Sequence, residues 1–158
     1  MTEDSKNDAE QITIPSTRFG DLTVSAESLM EFPVGLIGFP AAQKFIMIEH
    51  KPPFCWLQSA VDPALAFVVV DGFEFGENYN VVAPYGDHTI DLQKEDEYAI
   101  LVIVTVSANG MTTANLKAPL FVNLKNRKGI QVIFDDSRFS TRYPLWENDG
   151  ESDLEEPK

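Results

Sequence analysis

Hydrophobic and polar residues alternate with a period of two along much of this chain. In 21-DLTVSA-26, Leu22, Val24 and Ala26 fall on one side and Asp21, Thr23 and Ser25 on the other, the pattern of a half-buried strand. Further strand-like runs lie at 11–14, 44–49, 54–60, 65–70, 78–83, 98–106, 118–124 and 130–134. The runs 65–70 and 99–106 are nearly all apolar, which suits strands covered on both faces or placed centrally. Turn residues separate these runs. Pro33, Gly35, Gly38 and Pro40 punctuate 32-FPVGLIGFP-40, and Asp62-Pro63 follows the run containing Trp56. The Asn109-Gly110 pair in 107-SANG-110 suits a hairpin turn with positive φ, and 125–129 suits another before 130-IQVIF-134. Helix is sparse, with one turn expected at 41–44 and about two at 87–94. The pattern predicts a mostly β, single-domain, antiparallel β-barrel-like or sandwich fold with one or two short helices.

Charge adds a division into body and fringes. The 158 residues carry a net charge of −13. Residues 1–10 hold four acids and one lysine, and 144–158 hold six acids and one lysine, so the stretch 11–143 accounts for only −5. The expected organisation is an acidic disordered extension at 1–10, a β domain at 11–146 and an acidic disordered tail at 147–158. Such a charge balance disfavours direct nucleic-acid binding, which needs lysine and arginine, and favours basic protein partners. No apolar run approaches the roughly 20 residues that cross a bilayer. The opening MTEDSKNDAEQ is polar and acidic, unlike a secretory signal, and Cys55 is the single cysteine. A cytoplasmic, reducing setting is expected, without membrane association.

The sequence offers little for catalysis. A structural zinc site needs about four N or S ligands at short spacing, and here only Cys55, His50 and His88 are available. A calcium loop counted from Asp71 finds glycine at Gly76 but places Phe73, Phe75 and Val82 where oxygen ligands belong. There is no G-x-S-x-G elbow and no glycine-rich phosphate loop. No catalytic residue, metal or cofactor is assigned, and the chain is read as a non-enzyme. Two rivals remain. One is a small-ligand or flavin-binding β-barrel lined by Phe54, Trp56, Phe73, Phe75 and Tyr79. The other is a hydrolase built from Ser59, His50 and an acid brought together in space.

Three stretches are specific when taken in order: 35-GLIGFPAAQKF-45, then 56-WLQSAVDPALAFVVVD-71, then 100-ILVIVTVSANGMTTANLKAPLFVN-123 followed by 129-GIQVIF-134. The G-[LI]-x-G-F turn, the L-Q-S-x-x-D-P and N-L-K-A-P segments and the G-x-Q-V strand make the chain resemble the FliW family of bacterial flagellar assembly factors over about residues 12–145. The resemblance implies a non-enzymatic cytoplasmic regulator of barrel-like β fold. It implies two protein partners: flagellin, and CsrA, a dimeric RNA-binding protein that represses translation of flagellin mRNA. Free regulator sequesters CsrA and permits translation, and unsecreted flagellin occupies the regulator and restores repression. A monomer is expected.

The motif residues carried over are Gln58, Ser59, Asp62, Asn115 and Lys117, expected to bind protein. Each has a plainer alternative: Asp62 as a turn acceptor, Asn115 as a group that satisfies a strand end, Gln58 as a satisfied inward polar group, Lys117 as a local ion-pair partner. The acids Glu147, Asp149, Glu151, Asp153, Glu155 and Glu156 lie outside the matched region and are expected to steer a basic partner electrostatically.

Overall fold

A computed structural model describes residues 10–145. The strands are β1 (Gln11–Ile14), β2 (Leu22–Ser25), β3 (Met30–Glu31), β4 (Lys44–Glu49), β5 (Phe54–Ser59), β6 (Ala66–Asp71), β7 (Tyr98–Val106), β8 (Thr112–Ala114), β9 (Leu120–Asn123), β10 (Lys128–Gln131) and β11 (Tyr143–Pro144). β1 and β2 form a separate hairpin. The larger sheet runs β11-β8-β7-β6-β5-β4-β3-β10-β9, and a further pairing of β9 with β7 closes it. The closed ring contains seven strands, with β8 and β11 as a flap on β7. A ring with an odd number of strands cannot alternate direction all the way round. One neighbouring pair must be parallel, and it is β3 with β10, joined at Glu31 and Lys128.

Period-2 alternation explains the two cores. Leu57, Val69, Leu101, Leu120 and Val122 pack with Met30, Phe32 and Phe45 in one cluster, which is the barrel interior. The intervening residues Phe54, Val70, Ile100, Val102, Val104 and Phe121 point outward into a second cluster. There they meet Tyr79, Ala83, Ile90 and Leu92 from the connection between β6 and β7, and Phe139 and Leu145 from the segment after β10. β7 is therefore apolar on both faces because both are covered.

The seam between β3 and β10 is held by shape. Phe32 is fully buried and meets Phe45 edge to face at 5.7 Å. Its ring lies against the Cα of Gly129, where a Cβ would collide with it. The Glu31 N–H donates to the Arg127 carbonyl at 2.9 Å, completing the join.

Several expectations need correction. The run 78–83 is not a strand. Residues Gly72–Asn78 form a kinked 3₁₀ segment, and Tyr79–Ala83 cross the outside of the closed ring, where no strand edge is free to pair. Residues 87–94 form turns and irregular chain instead of helix, and 41–43 form the turn that leads into β4 at Lys44. In the first, Asp87 Oδ1 accepts from Thr89 N and Asp91 adopts φ 52°, which ends any helical repeat. The 125–129 turn is displaced: Arg127 takes the left-handed conformation at φ 59°, β10 starts at Lys128, and Gly129 lies within the strand. Two-residue β3 and β11 and the threonine-rich β8 have too little pattern to read. The hairpin at 107–110 forms as expected, with Gly110 at φ 88°. No helix among the described residues is long and apolar enough to cross a membrane.

Replacing Gly129 by alanine forces Phe32 out of the seam. The expected cost is about 1–3 kcal/mol from overpacking, read as a lower urea midpoint with an unchanged denaturant slope.

Candidate functional site

Strand directions place the motif segments together. β5, β7 and β10 end, and β4, β6 and β9 begin, at the same rim of the barrel. That rim carries the loop 32–43, the turn 59–65 and the segment 115–119 that enters β9.

The first turn is built from the inside. Gln58 is wholly buried; its Oε1 accepts from Ser16 Oγ at 2.8 Å. Its Nε2 donates among the carbonyls of Ser59, Asp62, Pro63 and Leu65 at 3.0–3.4 Å. Ser59 is also buried, and its Oγ accepts from the N–H groups of Val61 and Asp62. Asp62 is exposed: Oδ1 accepts from Ala64 N at 3.1 Å, leaving the carboxylate facing solvent. The second turn follows the same logic. Asn115 Oδ1 accepts from the N–H groups of Lys117 and Ala118, both at 3.2 Å. Tyr79 Oη donates to the Leu116 carbonyl at 2.6 Å, and burial pushes that phenol well above its usual range. Lys117 is half-buried, with its charge felt at Asp136.

The loop 32–43 joins the two turns. The Ile37 N–H donates to Gln131 Oε1 at 2.8 Å, and Gln131 Nε2 donates to the Ala118 carbonyl at 3.0 Å. On its other flank, Phe39, Pro40 and Ala42 face Val61, Asp62 and Leu65 across an apolar groove of about 280 Å³. Gly35 and Gly38 make this path possible, at φ 74° and 87°. Gly35 also packs so closely on the Pro40 carbonyl that a side chain would collide with it.

The rim is apolar at its surface. Val61 is 73% exposed, Val34 61%, Ile133 60%, Ile37 54% and Phe39 43%. None of these was singled out from the sequence. The available signal was the placement of Val34, Ile37 and Phe39 inside a proline- and glycine-punctuated turn, where polar residues are the norm. Exposed apolar side chains grouped beside one carboxylate are suited to docking another protein.

The rival sites are not assembled. His50 follows the far end of β4, whereas Ser59 pairs with Phe45 at its near end, so the two lie at opposite rims. Phe54, Phe75 and Tyr79 pack into the outer core, Phe73 is 58% exposed, and Trp56 lines a groove. The barrel interior is filled by side chains. Glu147, Asp149, Glu151, Asp153, Glu155 and Glu156 lie outside the described residues, as do the extension at 1–9 and the tail.

Two outcomes are expected. Gln58→Ala strands the Ser16 hydroxyl and the turn carbonyls and lowers stability by about 2–3 kcal/mol, while Asp62→Ala changes it by less than about 1 kcal/mol; urea titration of both variants checks this. Separately, hydrogen bonds and charge from Arg138 hold the Asp136 carboxyl down to about 2. A depressed carboxyl stabilises the fold above its ordinary range, and that contribution is lost as pH falls towards 2. Carboxyl-carbon NMR should show the low midpoint, and Arg138→Gln should raise it.

Comparison with known proteins agrees with this geometry. The family model described as "FliW protein" matches residues 13–145. A flagellar assembly factor FliW from Caldicellulosiruptor bescii is 35% identical over 144 residues, covering 88% of this chain and 93% of the relative. The flagellar assembly factor FliW 2 of Desulfotalea psychrophila is 38% identical over 132 residues, covering 82% and 87%. A crystal structure of the flagellar assembly factor FliW superposes with a TM-score of 0.77 at 30% identity, covering 87% of this chain and 99% of that one.

Proposed function

Because this chain belongs to the FliW family, we propose that it is a flagellar assembly factor that works by binding other proteins through its apolar rim. The partners are flagellin and the translational repressor CsrA. Bound to this chain, CsrA is withheld from flagellin mRNA and translation proceeds. Accumulating flagellin takes the rim and returns CsrA to its message. The action is cytoplasmic, by a monomer, and requires no covalent chemistry.

The observation that carries this reading is the convergence of all four motif segments on one rim exposing Val34, Ile37, Phe39 and Val61 beside Asp62. Gln58, Ser59 and Asn115 act by fixing the two turns, and Asp62 and Lys117 present charge at their surfaces. Apolar contacts supply affinity and the charges set register. The net charge of −13 speeds encounter with a basic RNA-binding partner, and the acids from Glu147 to Glu156 extend that attraction. The favoured antagonism is docking on CsrA outside its main RNA surface, with negative charge contributing.

The test is calorimetric titration of CsrA and of flagellin into the full chain and into Ile37→Asp and Val61→Asp variants. Both positions are exposed, so the fold is retained. Each variant should weaken binding at least tenfold, about 1.4 kcal/mol. Unchanged affinity would remove the rim from the site, and no binding of either protein at micromolar concentration would end the reading.

A further inference from the structure

Two grooves flank the hairpin between β7 and β8. The larger, about 660 Å³, is lined by Arg18 and Trp56 and floored by Ala66, Val68, Val104 and Val106. The second, about 510 Å³, holds Met111, Thr113 and Arg142. They share Thr105 and Ser107, so they form one path, and among the described residues no acidic one lines either. In a chain with 25 acids and 12 bases, this acid-free path with an arginine in each half is unusual. The Arg18 guanidinium lies 4.4 Å over the Trp56 ring, and among the described residues neither Arg18 nor Arg142 forms an ion pair. The Trp56 indole N–H, on a side chain that is only 8% exposed, has no hydrogen-bond partner among them. The path thus offers two cations, a spare donor and an apolar floor.

A complementary segment begins beside it. β11 pairs Pro144 with Thr113, and the Leu145 N–H donates to the Thr112 carbonyl at 2.9 Å, so the chain is heading along β8 towards the hairpin tip. The chain continues as 146-WENDGESDLEEPK-158, with six acids, Trp146 and Leu154. We propose that this segment docks on its own barrel, with its carboxylates on Arg142 and Arg18 and an apolar side chain on the Val68–Val104 floor. Residues 146–156 extend at most roughly 40 Å, enough to pass the hairpin tip. Tethering supplies an effective concentration on the order of millimolar, so individually weak surface pairs suffice. Two guanidiniums engage only part of the six carboxylates, so the docked segment keeps most of its charge, and a strongly basic protein competes with the arginines for the engaged ones. This goes beyond the rim reading and holds or fails independently of it.

The test uses the full chain with Cys55→Ser and Ser152→Cys, a nitroxide on the new thiol and ¹⁵N labelling. Docking causes loss of amide signal at Ala66, Val68, Val106 and Gly110. The signal returns with Arg18→Gln plus Arg142→Gln, and at ~0.5 M salt. Intact signals in the unaltered-arginine chain, or loss that persists without the arginines, overturn the proposal. So does loss in ¹⁵N chains mixed with separately labelled chains, which would make the occupant a second copy. A second measurement keeps Cys55 in place: with 5-fluorotryptophan, replacing the six acids by their amides shifts the Trp56 resonance, and does so only when both arginines are present. An unmoved resonance also overturns it.

Discussion

Closing a seven-stranded ring requires one parallel join, and the molecule depends on how that join is made. β3 contributes two residues and meets β10 at a single pair, the shortest ladder in the ring, next to two pairs with β4 and four or five between the other neighbours. Backbone hydrogen bonding is therefore weakest at the seam, and side-chain shape compensates. Phe32 fills the space that Gly129 leaves empty, and it does so as the first residue of the loop 32–43. The element that closes the barrel is thus the element that starts the apolar rim. A disturbance of the seam reaches the rim through one residue, and the rim loop cannot be repositioned without opening the core.

The wrapping of the outside is a result of closure. Once the ring is shut, the connections after β6 and β10 find no edge in the ring itself, and apart from β11, which pairs with the β8 flap, they bury apolar side chains on the outer faces of β6, β7 and β9. This covers both faces of the central strands and removes most apolar surface from water. The apolar residues at the loop tips stay exposed because the loops that bear them are fixed by buried polar groups. Gln58, Ser59 and Asn115 bond to loop backbone, and Gln58 also to the Ser16 hydroxyl, so the loops hold their shape without drawing Val61 or Ile37 inward.

This division sets what could be read from the letters. Strands β4, β5, β6 and β7 were legible to within a residue because aromatic and β-branched runs fill two buried faces. The run 78–83 misled because Val81, Val82 and Ala83 satisfy the same local preference. Whether such a run pairs is decided by the availability of an edge, which is a property of the closed ring. Gly129 was read as a turn glycine, and only the approach of Phe32, 97 positions earlier in the chain, shows why it is there. The motif polar residues were visible as a set. The exposed valines and Phe39 were not, since the same letters fill the core, and two positive-φ glycines decide which side of the loop they occupy.

The polar motif residues and the apolar rim therefore stand in a causal order. Gln58 sits in an otherwise apolar strand and Asn115 in the turn after β8, and both look like contact residues, yet their amides are committed to groups of the fold itself 2.8–3.4 Å away. A partner touching this rim meets the consequence of those amides more than the amides themselves. Under the proposed rim docking, substituting them would change binding by releasing the turns, whereas substituting Val61 or Ile37 would change it with the turns intact. Affinity lost together with stability marks the first class, and affinity lost alone marks the second. The exposed apolar residues of the rim and the polar residues that hold it in shape are different sets in this fold, joined through Gln131 and the loop that begins at Phe32.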